Sequence, residues 1–327
     1  MMINYWQGLW DKKVEEGELK YASISLALNS PWNIKATKDS KGRIGFQLIA
    51  EKMDMCDQIY KRKLLKTSQV SVTFFDKKTL YIRLEDKEAI EEFNEYAESI
   101  IIKASQATSE LEMIEIAISK SLKWFNFLKP INERKLKPFQ QMGLIAELLF
   151  LKKLVKKMGL SDALNSWCGQ ENYDKDFILG KLGVEIKAKQ SGKIKISISS
   201  FSQLDLQGLE KLILNVYSIN SASSNDKNAF NLDQLVFEMC EIFSSEMNLK
   251  YMFEMEIAES GYDFDHDYSD RFWIDLEDNQ IYNVTKNFPS ITSEIINVKS
   301  ISNVSYDINL NTIKEFKIDS EEFEELI

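Results

Sequence analysis

The chain has 327 residues, enough for two or three parts, and its 44% hydrophobic and 28% charged content with 4 prolines and 12 glycines belongs to a globular protein with a substantial core. The net charge of -10 is uneven: Lys120–Lys195 holds 16 Lys+Arg against 7 Asp+Glu, so one basic segment stands in an acidic remainder and can hold phosphates locally. A single histidine, His266, three scattered cysteines, Cys56, Cys168 and Cys240, and the lack of a Gly-rich phosphate loop exclude paired-histidine and zinc chemistry, a disulfide framework, ATP hydrolysis and dinucleotide binding.

Residues 1–85 read as a β-rich module, with strands near Ser23–Leu28, Ile44–Ala50, Val70–Phe75 and Leu80–Leu84, the last two forming a hairpin about Asp76-Lys77-Lys78. From Asp86 the three- and four-residue steps of Ile90, Phe93, Tyr96, Ile100 and Ile101 predict a helical connector reaching about Phe127. Pro130 and Pro138 bracket a basic linker, after which a helix over Pro138–Met158 carries Leu144, Leu148, Leu151 and Val155 on one stripe, with Glu147 beside it and Gly159 as its stop. A loop containing Trp167-Cys168-Gly169 follows, with Trp167 read as a core anchor.

Three strands come next, Asp176–Leu179, Val184–Lys189 and Ile194–Ile198, with Gly180–Gly183 turning the first pair; a polar segment, Ser199–Gln207, then leads to a strand at Leu212–Tyr217. Residues 229–260 read as helical, with Leu235, Phe237, Cys240, Phe243 and Met247 as core candidates. The tail mixes strands near Phe272–Ile274, Ile281–Val284 and Val304–Ile308 with loops, and ends in the acidic run Asp319–Glu325. His266, among Asp263, Asp265, Asp267 and Asp270, reads as part of a solvated acidic loop. The expected division is 1–129, a β-rich module with its helical connector; 130–220, an α/β core of helix, three strands, helix and strand; and 221–327, a mixed extension. No run approaches the roughly 18–20 apolar residues of a membrane span, and the opening residues lack a signal-peptide layout, so a cytoplasmic protein is expected.

The chemistry concentrates between Tyr173 and Lys189. Alternation puts Val184, Ile186 and Ala188 on one face of their strand and Glu185, Lys187 and Lys189 on the other, with Asp176 on the neighbouring strand. Two carboxylates aimed to one side of a hairpin can hold Mg²⁺ while leaving room for water and a phosphate oxygen, and Lys187 can then stabilise charge developing on that phosphate. Glu147 supplies a third carboxylate from the preceding helix. Asp-x8-Glu-x-Lys is a weak pattern alone, since any strand with its polar side to water produces it. Asp174 shares the face of Asp176 and is the rival ligand; Gln203 is an accessory candidate for orienting water or phosphate, or else a helix cap. Lys189 and the helix lysines Lys152, Lys153, Lys156 and Lys157 are the candidate contacts to a DNA backbone, against the plainer reading of a solvated face.

The motifs Gly143-Leu-Ile-Ala-Glu-Leu-Leu-Phe150, Trp167-x-Gly169, Asp176-Phe177, Val184-Glu-Ile-Lys187, Ile198-Ser-Ser-x-x-Gln-Leu204, Gly261-Tyr262, Tyr282-Asn-Val-x-x-x-Phe-Pro289 and Val304-Ser-Tyr306 resemble a bacterial family of PD-(D/E)XK-motif proteins found beside DNA methyltransferases and ATPases in phage-defence and restriction loci. The resemblance implies a restriction-endonuclease-like α/β (α+β) fold and Asp176, Glu185, Lys187 and Glu147 as catalytic residues. It further implies a metal set of Asp176, Glu185, Ile186 and Glu147 for Mg²⁺, with Mn²⁺ as a substitute. It implies double-stranded DNA as substrate, a methyltransferase and an ATPase as partners, and a homodimer where both strands are cut. Lys175 stands where the motif's name has proline, and no histidine precedes the Ile-Ser-Ser piece, where Lys195 and Ile196 stand. A non-catalytic DNA-binding or scaffolding subunit with the same fold is the rival reading.

Overall fold

The β-branched and aromatic runs of the first eighty residues pair as one antiparallel sheet. The computed structural model describes residues 5–9, 11–15, 21–26, 28, 30–52, 65–66, 69–128, 135–167, 174–264, 266–295, 301 and 303–327, and the chain divides into two units, Met1–Arg134 and Lys135–Ile327. In the first unit the strands are β1 (Tyr21–Ser25), β2 (Asn33–Asp39), β3 (Ile44–Ile49), β4 (Leu65–Lys66), β5 (Val70–Asp76) and β6 (Thr79–Leu84), in the spatial order β1-β2-β3-β6-β5-β4. The β5–β6 hairpin is as expected, with an irregularity between Phe74 and Asp76. Strand β2 was not expected, because Asn33-Ile-Lys-Ala-Thr-Lys-Asp39 carries too much charge to read as a strand.

The helical connector is two helices, α1 (Ile90–Ser105) and α2 (Glu110–Leu128), fastened by the Tyr96 hydroxyl donating to Ser121 Oγ at 2.6 Å. Phe93 of α1 lies against Trp6 (5.7 Å) and Phe46 (6.2 Å), so the helix packs its apolar stripe on the sheet. Trp6 Nε1 donates to the Gly45 carbonyl at 2.7 Å, and a Cβ at Gly45 would lie 2.5 Å from the Ile82 carbonyl oxygen.

In the second unit the predicted long helix is α3 (Pro138–Met158), ended at Gly159 with φ 88°. The loop expected around Trp167 is instead a further helix, α4 (Leu160–Trp167); Cys168 and Gly169 lie outside the described residues. Five of the six strands of the central sheet follow the order β14-β12-β10-β8-β7: β7 (Phe177–Leu179), β8 (Leu182–Lys189), β10 (Lys211–Ala222), β12 (Gln280–Asn283) and β14 (Lys317–Ile318). A further strand, β11 (Phe272–Asp275), pairs with the end of β10. The helices α5 (Leu232–Phe243), α6 (Met247–Glu259) and α7 (Ser320–Leu326) complete the unit. Among the expected core positions Leu235 and Phe243 are buried, Cys240 is half-buried and the Met247 side chain lies outside the described residues, but Phe237 is 67% exposed. That stretch is two helices rather than one, and Phe237 falls on the outer face of the first.

The third predicted strand of the core, β9 (Lys195–Ile198), does not join the central sheet; it pairs antiparallel with β13 (Tyr306–Asn309) in a sheet of two. Strands β8 and β10 are parallel, and a parallel pair needs a crossover between them. Here that crossover carries β9 and a 3-10 turn, Phe201–Leu204.

Gly45→Ala is expected to destabilise the first unit by about 3 kcal/mol, because its Cβ would meet backbone, which cannot swing aside. Urea unfolding of the full chain measures this, and an unchanged midpoint would show that β3 and β6 part at little cost.

Candidate active site

Alternation along β8 puts Glu185 and Lys187 on one face, and the parallel register aligns them with Leu214 and Val216 of β10. Residues in register share a face, so both side chains lie on the side whose core is Leu212, Leu214 and Val216 packed with Ile196, Ile198, Tyr282 and Ile308. The crossover and β13 roof this face. Glu185 was expected to face water; it is fully buried, because a strand's own alternation does not reveal what later segments lay over it.

Asp176 immediately precedes β7, and its Oδ2 accepts from the Ile186 backbone N–H at 2.6 Å, which ties the two strands at the point where their carboxylates meet. Glu185 Oε1 accepts from Lys187 Nζ at 2.7 Å, while its Oε2 is buried with no hydrogen-bond partner. Gln203, carried in by the crossover, accepts at one oxygen from Lys187 Nζ (3.2 Å), Ser199 N (2.9 Å) and Ser199 Oγ (3.1 Å). Glu147, half-buried on α3, accepts at Oε2 from the Trp167 indole at 3.0 Å. The structure therefore brings together Glu147, Asp176, Glu185, Lys187 and Gln203, whereas Asp174 is exposed.

Two contributors went unrecognised in the sequence. Lys175, noted only as a departure from the motif's proline, is buried and donates to the Ser202 carbonyl. Its stem passes Gly183, where an added Cβ would lie 3.6 Å from Lys175 Cγ. Trp167 was read as a core anchor and is buried as one, yet its N–H also orients Glu147. An acid and an indole separated by a helix break gave no local signal for that pairing.

Burial raises the pKa of all three acids. Glu147 is pushed up to about 8 by burial and by the neighbouring Asp176 charge, against the opposing pull of the Trp167 N–H and Lys187. Asp176 is raised by burial despite Lys187, the Ile186 N–H and Lys175. Burial and Asp176 lift Glu185 well above the usual carboxylate range, although Lys187 and Lys175 oppose this. The two lysines diverge. Burial alone would lower Lys187, but Glu185 and Asp176 outweigh it and raise its pKa, so it stays cationic; burial wins at Lys175 and lowers it. Asp176 and Glu185 are the donors that a divalent cation would meet here, and the orphaned Glu185 oxygen is an unpartnered acceptor beside them. Among the described residues no three acidic, histidine or cysteine side chains are grouped closely enough to hold a metal ion by themselves. Such an ion would complete its shell with backbone oxygen, water and phosphate, as Mg²⁺ commonly does.

The lysines expected to track DNA are differently placed. Lys152 pairs with Glu238 at 2.6 Å, Lys153 with Glu324 at 2.5 Å and Lys157 with Glu324 at 3.4 Å, because α5 and α7 set acids beside α3. Lys156 is exposed. Lys189, expected on the surface, is buried and donates to Ser218 Oγ at 3.1 Å, its register partner on β10. The lone His266 meets Asp263 Oδ2 at 2.9 Å.

A mixed α/β sheet with acid, acid and lysine about its β7–β8 hairpin and an acid on the preceding helix defines a restriction-endonuclease-like protein of PD-(D/E)XK type, a class whose members are generally nucleases. The chain belongs to the family described as "Putative PD-(D/E)XK family member, (DUF4420)", which matches residues 2–311. Comparison with curated proteins and with solved structures finds no match.

Acids whose pKa is raised by folding stabilise the fold fully below their unfolded value, and that contribution is lost as pH rises through the folded value, about 8 for Glu147. The metal-free protein is therefore expected to gain thermal stability in Glu185→Gln by several degrees at pH 8.5 and by little at pH 4. Calorimetry in EDTA reads the difference, and a variant less stable than wild type at pH 8.5 would contradict the charge repulsion.

Proposed function

We propose that this chain is a divalent-metal-dependent endonuclease that hydrolyses phosphodiester bonds in DNA. The observation carrying this reading is Glu185, wholly buried, with one oxygen on Lys187 and the other unpartnered beside Asp176. Such an arrangement is unfavourable for stability, and it is the kind of site in which a cation would be accepted.

Asp176 and Glu185 would hold the cation, Mg²⁺ with Mn²⁺ as substitute, with the Ile186 carbonyl and Glu147 as further donors. Once bound, the cation supplies a lowered pKa for coordinated water and neutralises phosphate charge. The chain's own groups do the rest. Lys187, kept protonated by Glu185 and Asp176, sets its ammonium where negative charge grows on the phosphate as the water oxygen bonds to phosphorus and the ester bond breaks. Gln203 accepts from Lys187 Nζ at 3.2 Å and so limits the motion of the ammonium. Glu147, whose carboxyl titrates at about 8, is able to hold a proton at neutral pH and release it when a cation adds positive charge nearby.

The expected setting is a bacterial restriction or anti-phage system in which double-stranded DNA is the substrate and a methyltransferase and an ATPase act alongside. A homodimer would provide one site for each strand. The rival reading, a scaffolding subunit without catalysis, is separated by activity.

Asp176→Asn and Glu185→Gln are expected to reduce Mg²⁺-dependent cleavage of plasmid DNA to background, a loss of at least about a thousandfold, with folding retained because both replacements preserve shape. Lys187→Met is expected to lose about 10²–10³-fold in single-turnover rate with little change in DNA affinity measured in Ca²⁺. Wild-type protein that binds DNA without cutting it under any divalent metal would establish the scaffold instead.

A further inference from the structure

Beside Lys187 the second unit opens into a cleft of about 590 Å³. Its lining includes Lys187, Lys193, Lys195 and Arg271 together with Phe139 and Met142 from the first turns of α3; no acidic residue lines it among the described residues. Lys193, Lys195 and Arg271 are exposed, and none of them makes an ion pair among the described residues, in contrast to Lys152, Lys153 and Lys157. The nearest acid on the adjoining strand, Asp307, stands opposite Ser197 in the β9–β13 register and accepts from its hydroxyl at 2.7 Å. Arg271 is fixed over the Trp273 ring at 5.7 Å, so its guanidinium is held on the wall rather than adrift in solvent.

Phe139 is 66% exposed at the cleft's rim. A large aromatic held on the first turn of a 21-residue helix is positioned rigidly, yet it packs into no core. That combination, cations without ion-pair partners among the described residues and a bare ring lining one cleft, matches what nucleic-acid sites use for a strand with its bases exposed: charge for the backbone and an aromatic face for a base. Size decides between strand and duplex. The cleft has room for one or two nucleotides, whereas a duplex, whose major groove alone is about 12 Å wide, could only lie over its mouth.

The geometry points to a subsite for an unpaired nucleotide next to the scissile phosphate: Phe139 and Met142 receive the base, and Lys193, Lys195 and Arg271 receive the flanking phosphates. This rests on the nuclease reading for the location of the scissile phosphate and adds to it the substrate class: DNA with a single-stranded, bulged or flipped position at the point of cutting. It also moves the phosphate path from the α3 lysines to the β8–β9 connection.

Binding of the full-length protein to fluorescent oligonucleotides, followed by anisotropy in Ca²⁺, tests the subsite apart from cleavage. The probes are an oligothymidylate of 15 nucleotides, a fully paired duplex and the same duplex with one unpaired nucleotide. Phe139→Ala, at an exposed position, is expected to weaken the single strand and the bulged duplex about tenfold and to leave the paired duplex unchanged. Lys193→Gln, Lys195→Gln and Arg271→Gln together are expected to lower the slope of log affinity against log salt for the single strand by about 2, from about 0.7 for each lost contact. Lys152→Gln with Lys153→Gln should change neither.

Loss on the single strand but not the bulged duplex would assign the subsite to free strands; loss on both assigns it to any unpaired position. Equal effects of Phe139→Ala on all three probes, or none on any, would overturn the subsite. Cleavage in Mg²⁺ is scored separately: if Phe139→Ala binds and cuts the bulged duplex as wild type does, the nuclease reading stands and the subsite is lost. A protein that shows the binding pattern but never cuts keeps the subsite and loses the nuclease.

Discussion

The second unit is organised around the burial of one carboxylate. Glu185 lies at the centre of a parallel strand pair with no exposed surface, and only one of its oxygens is satisfied, by Lys187. A buried carboxyl group of this kind, whose charged form burial disfavours, is tolerated only where surrounding structure holds it in place. Here the crossover between β8 and β10 does so, since the chain must climb over the sheet to return parallel and in doing so lays β9 and the Phe201–Leu204 turn across Glu185. The same excursion delivers Gln203 to Lys187 and Ser202 to Lys175. The connection that makes the fold topologically sound is thus the one that completes the site.

Two lysines flank the acids and are driven apart by a small difference in surroundings. Lys187 feels Glu185 at 2.7 Å and Asp176 nearby, and attraction exceeds the desolvation that would neutralise it. Lys175 is buried with its ammonium on the Ser202 carbonyl, and desolvation prevails over the pull of Glu185, Asp205, Asp174 and Asp176. Within the same constellation the charged form is therefore favoured at Lys187 and disfavoured at Lys175, which makes Lys187 the group suited to stabilising a developing anion. Neither behaviour is encoded by residue type.

What could be read in the sequence follows from how local each signal is. The α3 boundaries, Pro138 and Gly159, and the β5–β6 hairpin rest on residues that act on their own backbone, and they stand where expected. The Asp176, Glu185 and Lys187 grouping was legible because a tight turn and strand alternation place them without help from distant segments. Burial was not. Whether Glu185 meets water depends on residues 195–204 and 306–309, and whether Lys189 reaches the surface depends on Ser218. Strand β9 was recognised as a strand but not as a member of a separate sheet, since its partner, β13, lies more than a hundred residues on. Phe237 looked like core from its spacing alone, and its exposure reflects which face α5 turns inward.

Charge shows the same dependence on distant segments, with a consequence for where a polyanion is received. The basic segment is real in sequence, but the acidic remainder is not spread evenly around it. The last helix, α7, begins at Ser320 behind the capping Asp319 and projects Glu324 to Lys153 and Lys157, and α5 projects Glu238 to Lys152. Exposed pairs like these add little stability, about 0–1 kcal/mol each, but they remove three cations from the field that a phosphate backbone would feel. Lys193, Lys195 and Arg271 have no such partners among the described residues, and they converge on the same cleft as Lys187. An acidic chain that pairs off its helix lysines and leaves bare those beside the acids concentrates attraction at the one place where, on the proposed reading, a phosphate has to arrive. Net charge then disfavours indiscriminate binding over the rest of the surface while local charge selects the site.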